Sequence, residues 1–165
     1  MKTIKSVSVF LFVSALMLTS CSSDDSSGGG TPAGLHLKAK IDGQNYSNSE
    51  HFDPMAIINS GILMIQSSDN SGNSIQIQVT NYNGEGTYNS GSNNLLNGYI
   101  NYMKAGATIG QYTTYTSVRG TGQVIITKVT DTEITGTFTA TAKENVDGST
   151  ASVVITEGSF RAEID

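Results

Sequence analysis

One short segment combines residue types that could perform acid–base or metal chemistry. Glu50, His51 and Asp53 lie within four consecutive positions. An imidazole beside two carboxylates can hold a divalent cation or take part in general acid–base catalysis. On a strand, however, alternate side chains point to opposite faces, so Glu50 would be separated from His51 and Asp53. We therefore expect a solvated loop here, and an enzyme that uses Glu50, His51 and Asp53 is the least favoured function.

A second segment has the composition of a calcium-binding loop. It is Asp69-Asn70-Ser71-Gly72-Asn73, which contains a single carboxylate and no closing glutamate. We predict a plain turn. The sequence also has no Gly-x-Ser-x-Gly nucleophile motif. We therefore predict no catalytic residue, no metal ligand and no cofactor, and the protein is not expected to be an enzyme.

Tyrosines are concentrated in the middle of the chain. A tyrosine offers a flat apolar ring and a hydroxyl at low entropic cost, so a group of them can stack against a sugar or a peptide. The alternative is that Tyr is simply a good strand residue, and the absence of Trp weakens the sugar interpretation. The candidate ligand-binding residues are Tyr99, Tyr102, Tyr112 and Tyr115.

The N-terminus carries a different kind of chemical signal. Lys2 and Lys5 precede an apolar run from Val7 to Leu18, which is shorter than the roughly 20 residues that a membrane span needs. This order is typical of a secretory signal. The run ends in Leu18-Thr19-Ser20-Cys21, which resembles a bacterial lipobox. We predict a signal peptide over residues 1–20 and lipid attachment at Cys21; the alternative is an ordinary secretory signal with an incidental Cys nearby.

Residues 21–34 then form the lipid-bearing Cys and a linker of Ser, Asp and Gly, which has too few apolar residues to order itself. The predicted partner is a membrane, reached through acyl chains on Cys21. Asp24 and Asp25 resemble the export signals of Bacteroidota surface lipoproteins. This likeness implies an outer-membrane lipoprotein on the cell surface, with the periplasmic face as the alternative.

Charge and cysteine content limit the remaining partners. The net charge of -5 becomes -7 when Lys2 and Lys5 are removed with the signal, so nucleic acid is not an expected partner. With a single Cys there is no intrachain disulfide. The domain at 35–165 must therefore be stabilised by its core alone, and its oligomeric state is left open.

Periodicity predicts strands throughout this domain. Apolar and polar residues alternate over Leu35–Ile41, Ser74–Tyr82 and Glu133–Lys143, and Asp42-Gly43 is a two-residue hairpin signal. The apolar runs Met55–Ile58 and Ile62–Ile65 are predicted as short strands, the second buried on both faces. A polar loop is predicted over Asn89–Asn94. Further separate strands are predicted at Gln111–Val118, Gly122–Thr130, Thr150–Thr156 and Gly158–Ile164.

These elements predict an all-β fold: a single antiparallel domain of about nine or ten strands. Tight turns at short intervals favour an up-and-down barrel or half-barrel, and a Greek-key β-sandwich is the alternative.

Several segments resemble a group of small Bacteroidota lipoproteins of unknown function. They are Leu37–Tyr46, Gly86-Thr87-Tyr88, Gly136–Ala140 and Ile155–Phe160. The resemblance implies the fold and the cellular address, and it supplies no catalytic residues.

The function expected from these observations is that of a lipid-anchored cell-envelope lipoprotein with a non-enzymatic binding or structural β domain. A glycan or a peptide is the ligand considered first. The alternative is a calycin-like carrier, in which a barrel encloses a small apolar ligand. Small inward residues would leave room for such a ligand; the candidates are Gly136, Ala140, Ala142 and Ala162.

Overall fold

The computed structural model describes residues 34–91 and 97–165. The predicted signal peptide, Cys21 and most of the predicted linker lie outside the described residues. Ten strands form one sheet, and they are β1 (His36–Ile41), β2 (Gln44–Ser47), β3 (Met55–Asn59), β4 (Ile62–Ser68), β5 (Ser74–Thr80), β6 (Gly86–Gly91), β7 (Gly98–Ala105), β8 (Tyr112–Val129), β9 (Glu133–Glu144) and β10 (Ser152–Ile164).

The sheet returns on itself to form a near-closed ring. Antiparallel pairing runs from β3 through β4, β5, β7, β8 and β9 to β10. The end of β10 then pairs in parallel with the start of β3, Glu163 opposite Met55 and Ile164 opposite Ala56. Strands β1 and β2 extend the other part of the β10 edge, and β6 pairs with the second half of β8. The predicted all-β barrel or half-barrel is confirmed, and among the strands of residues 34–91 and 97–165 the β3–β10 pairing is the one that is parallel.

The core lies inside this ring because one face of most of the strands is apolar. In β5, Ile75, Ile77 and Val79 are fully buried and alternate with partly exposed polar residues, as predicted. In β9, the inward positions include Phe138, Ala140 and Ala142. Alternation of this kind is what a sheet with one solvated face requires.

The predicted burial of Ile62–Ile65 on both faces is wrong. Leu63 and Ile65 are fully buried, but Ile62 is 38% exposed and Met64 is partly exposed. The strand alternates like its neighbours because its outer face is open to solvent, although that face carries apolar residues.

Two long strands, β8 and β10, each cover a stretch in which two separate strands were predicted. β8 runs without a break through Gly120 and Gly122, with a register shift between Thr116 and Thr121. β10 continues through a bulge between Ile155 and Gly158, where Glu157 has a φ of 52°. The glycines therefore bend these strands and do not end them. Similarly, Asn89, Ser90 and Gly91 belong to β6 and not to the predicted polar loop, whose remaining residues lie outside the described part.

Small inward residues are matched to large rings. A Cβ on Gly136 would stand 2.5 Å from Cζ of Phe160, and a Cβ on Gly158 would stand 2.8 Å from the Phe138 ring. The Phe138 and Phe160 rings themselves lie 6.4 Å apart. Gly136, Ala140, Ala142 and Ala162 do face inward, but aromatic rings occupy the space beside Gly136. The carrier hypothesis gains no support from these residues and stays a prediction.

Candidate ligand-binding pocket

The structure brings two of the four candidate tyrosines together. The rings of Tyr102 on β7 and Tyr115 on β8 stack with centroids 6.3 Å apart. Tyr99 lies three positions before Tyr102 and therefore points to the opposite face of β7, where it is partly exposed. Tyr112 is 57% exposed and does not line the pocket around Tyr102.

A third ring completes the group. Tyr46 on β2 meets Tyr102 edge to face, with centroids 6.5 Å apart. The β1–β2 hairpin places it there, because Tyr46 is the register partner of the inward-facing Ala39. Tyr46 was not among the residues predicted to bind a ligand. The hairpin signal at Asp42-Gly43, counted back to Ala39, could have identified Tyr46 as inward-facing.

These three rings lie in a pocket of about 360 Å³ at one end of the ring of strands. The β1–β2 turn, the β4–β5 turn, the end of β7 and the start of β10 surround it. Its lining residues are Ile41, Asp42, Gln44, Asn45, Tyr46, Asp69, Asn73, Tyr102, Lys104, Tyr115, Ser152 and Val153. Aromatic faces, hydroxyls, two carboxylates and one ammonium are thus available to one ligand.

The hydroxyl of Tyr46 already forms a hydrogen bond within the protein. The Tyr46 hydroxyl donates to the Ser67 carbonyl oxygen at 3.0 Å, so it holds β2 against β4. Burial, reinforced by the nearby Asp69 carboxylate, raises the pKa of Tyr46 above its ordinary value. Burial and then Asp69 also raise the pKa of Tyr102. Both hydroxyls therefore keep their protons at neutral pH and can act as hydrogen-bond donors.

The two carboxylates are fixed by backbone groups. Asp42 Oδ1 accepts a hydrogen bond from the Val154 amide at 2.8 Å. Asp69 Oδ1 accepts from the amides of Ser71 and Asn73, and its Oδ2 accepts from Asn73 Nδ2 at 2.7 Å. Asp69 thus organises its own turn, and Asn73 Oδ1 accepts from the Ala105 amide at 3.0 Å to join that turn to β7. The pocket rim is held by these bonds before any ligand arrives.

The cluster of Glu50, His51 and Asp53 lies elsewhere, in the connection between β2 and β3. His51 Nε2 is 3.8 Å from Glu50 Oε1, and the two side chains are 77% and 85% exposed. Within residues 34–91 and 97–165, no three His, Cys, Asp or Glu side chains come close enough to hold a metal ion. The high exposure of His51 and Glu50 agrees with the solvated loop that was expected here. This geometry does not test the prediction about enzymatic activity.

Alkaline pH should reveal the buried tyrosines. An unfolded tyrosine ionises near pH 10, whereas folded Tyr46 holds its proton to higher pH. Above about pH 10 the unfolded chain therefore loses protons that the folded chain keeps, and the free energy of unfolding falls as pH rises. Tyr46→Phe removes one such group, so we expect a shallower fall. It also removes the bond to Ser67, which lowers stability at neutral pH by about 1 kcal/mol.

Guanidinium unfolding of both proteins between neutral pH and pH 11 measures this difference. If the free energy of unfolding falls equally steeply with pH in both proteins, Tyr46 does not contribute to the alkaline loss of stability.

The described residues include no helix long and apolar enough to cross a bilayer. Searches of curated proteins and of solved structures each found no match to the chain. A family model, described as a domain of unknown function (DUF6252), matches residues 35–162. That match spans all but the edges of the β domain, from just before β1 to near the end of β10. The chain therefore belongs to the DUF6252 family.

Proposed function

We propose that this protein is a lipid-anchored lipoprotein of the bacterial outer membrane, displayed on the cell surface, whose β domain binds a glycan without catalysis. The anchor is the lipid predicted at Cys21. The likeness of the chain to small Bacteroidota lipoproteins supports the address, as do Asp24 and Asp25 behind the Cys. The binding site is the pocket around Tyr46, Tyr102 and Tyr115.

One observation carries the binding proposal: the buried rings of Tyr46 and Tyr102 support the ring of Tyr115 at an open pocket whose rim holds fixed carboxylates. Tyr115 is only partly buried and offers a ring to a ligand. Sugar rings have one flatter apolar face and a border of hydroxyls. A tyrosine ring can pack against the apolar face of the sugar, while Asp42, Asp69 and Lys104 can form hydrogen bonds with its hydroxyls.

A panel of mono- and oligosaccharides, with short peptides as a second panel, tests this proposal. The sequence contains 7 Tyr and no Trp, so ligand-induced changes in intrinsic fluorescence report tyrosines alone. Binding of a saccharide that perturbs this signal supports the proposal. Binding of peptides only would assign a different ligand class to the pocket, and no response to either panel would contradict a binding role.

For a saccharide that binds, Tyr115→Ala should weaken affinity about 30-fold. Truncating an aromatic anchor at the centre of a contact costs roughly 2 kcal/mol. Tyr112→Ala is the matched control, because Tyr112 is on the same strand but does not line the pocket. Titration calorimetry measures both. Equal losses in the two variants, or no loss in Tyr115→Ala, would place the ligand elsewhere.

A further inference from the structure

The outer face of β3, β4 and β5 differs from an ordinary protein surface. The three strands, 19 residues in total, contain no Asp, Glu, Lys, Arg or His. A typical soluble surface has about a quarter to a third of its residues charged. We call this face the uncharged wall, and its outward positions are Met55, Ile57, Asn59, Ile62, Met64, Gln66, Ser68, Ser74, Gln76, Gln78 and Thr80.

The uncharged wall is most apolar along its β3–β4 hairpin. Met55 is 45% exposed, Ile57 is 40% exposed and Ile62 is 38% exposed. Register places Ile57 directly opposite Met64, so these side chains form one continuous strip across the two strands. Phe52, which is 57% exposed, lies beside Met55 in a groove at the border of the wall. Toward β5 the strip gives way to glutamines.

Strand directions relate this wall to the start of the domain. β1 is antiparallel to β10, and β3 is parallel to β10. The first residue of β1, His36, therefore faces the same end of the sheet as the β3–β4 turn at Asn59-Ser60-Gly61. The tyrosine pocket is at the other end, where β1 turns into β2 and β10 begins. The chain that follows Cys21 thus reaches the domain at the hairpin end.

We propose that the uncharged wall rests on the surface of the membrane that holds the lipid of Cys21, with Met55, Ile57 and Ile62 entering the interface. This inference depends on the proposed lipid attachment. A flexible linker of the 12 residues between Cys21 and Gly34 would span roughly 20 Å, which lets the hairpin reach the bilayer. The tyrosine pocket, at the opposite end of the sheet from the β3–β4 turn, then stays outside the membrane contact and open to the medium.

Charge and size favour a lipid surface over a second copy of the chain. The mature protein is acidic, and anionic headgroups repel acidic surfaces. The uncharged wall itself carries no charge, and the nearest carboxylates, Asp53 and Glu163, lie at its border beside Met55. Three strands of five, seven and seven residues, spaced by about 4.8 Å, present roughly 300 Å², far below the roughly 800 Å² per partner of a stable dimer. A lipid contact needs less area, because the anchor already keeps the domain at the surface.

The test uses the full lipoprotein, produced in a bacterium that attaches the lipid, and reconstituted into phosphatidylcholine vesicles. Cys21 is the one Cys of the chain and its sulfur carries the lipid, so an added Cys can be labelled alone. Ile62→Cys receives an environment-sensitive fluorophore. Val154→Cys is the control, because Val154 is similarly exposed at 45% but lies on β10, outside the wall.

We expect the fluorophore at Ile62 to brighten several-fold and to be quenched by doxyl-labelled lipids, while the one at Val154 changes little. Equal exposure of both, or equal quenching of both, would overturn the proposal. Brightening at Ile62 that increases with the density of protein on the vesicles, and that doxyl-labelled lipids do not quench, would also overturn the proposal. It would indicate that a second copy of the chain covers the wall. Flotation with the vesicles distinguishes failure of the proposed lipid attachment from failure of the proposed wall contact. A protein that does not float would contradict the lipid attachment. A protein that floats with Ile62 exposed to solvent would contradict only the contact of the uncharged wall with the membrane.

Discussion

A Cys21→Ala variant is expected to leave the membrane fraction of the cell and to be recovered as a soluble protein. The two or three acyl chains expected on a lipidated N-terminal cysteine contribute about 0.8 kcal/mol for every buried CH₂. No comparable attachment is expected from the acidic β domain, and the contact of the uncharged wall is too small to hold the protein alone. Fractionation and mass spectrometry of the N-terminus measure the change.

The matched control is Ser22→Ala, which alters the residue next to Cys21 and leaves the sulfur in place. Continued fractionation of Cys21→Ala with membranes would contradict lipid attachment at this residue. An intact N-terminus beginning at Met1 in the mature wild-type protein would do the same. Protease treatment of whole cells then distinguishes display on the surface from the periplasmic face.

Phe160→Ala is expected to lower the free energy of unfolding by about 3–5 kcal/mol. The side chain is 1% exposed, packs against Phe138, and covers the inward face of Gly136. Alanine would leave a cavity that Gly136 cannot fill, since glycine has no side chain to move into it. Domains of this size are stable by only about 5–15 kcal/mol, and no intrachain disulfide is available to offset the loss.

Equilibrium unfolding in guanidinium measures this effect. Val154→Ala shortens an exposed β10 side chain and should cost less than about 1 kcal/mol. Phe160→Leu should fall between the two, because it retains part of the buried volume. A Phe160→Ala midpoint indistinguishable from that of Val154→Ala would show that the Phe138–Phe160 contact does not stabilise the core.

Local patterns predicted most of the individual strands because one face of each must be apolar. The alternation of Ile75, Ile77 and Val79 identifies both β5 and its inward face, and the Asp42-Gly43 turn identifies the β1–β2 hairpin. The errors share a cause. Breaks were predicted at residues 119–121 and at Glu157, beside Gly158, but a glycine also allows a strand to bend where another backbone approaches: a Cβ on Gly120 would meet the Thr141 carbonyl oxygen at 1.8 Å.

The pocket was less accessible to prediction because it is assembled from distant segments. Tyr102 and Tyr115 were proposed from the density of tyrosines. Tyr99 was proposed with them, but side chains alternate between the two faces of β7, so Tyr99 and Tyr102 lie on opposite faces. Tyr46 and Asp69 join the pocket only once β2 is held beside β4 by the bond from Tyr46 to Ser67. That bond links residues 21 positions apart, and no local pattern specifies it. The apolar outer face of β4 was likewise mistaken for a buried one, since hydrophobicity alone does not show which neighbour covers it.

The order of the strands bears on how this chain reaches its folded state. The last strand, β10, supplies hydrogen bonds to the first strand, to its predecessor β9 and to β3. The sheet cannot be completed until the final residues of the chain are present, and such non-local pairing is slow to form. If the chain is exported as proposed, it would cross the membrane before its sheet is complete, and β10 would close the sheet only once residues 152–164 have crossed.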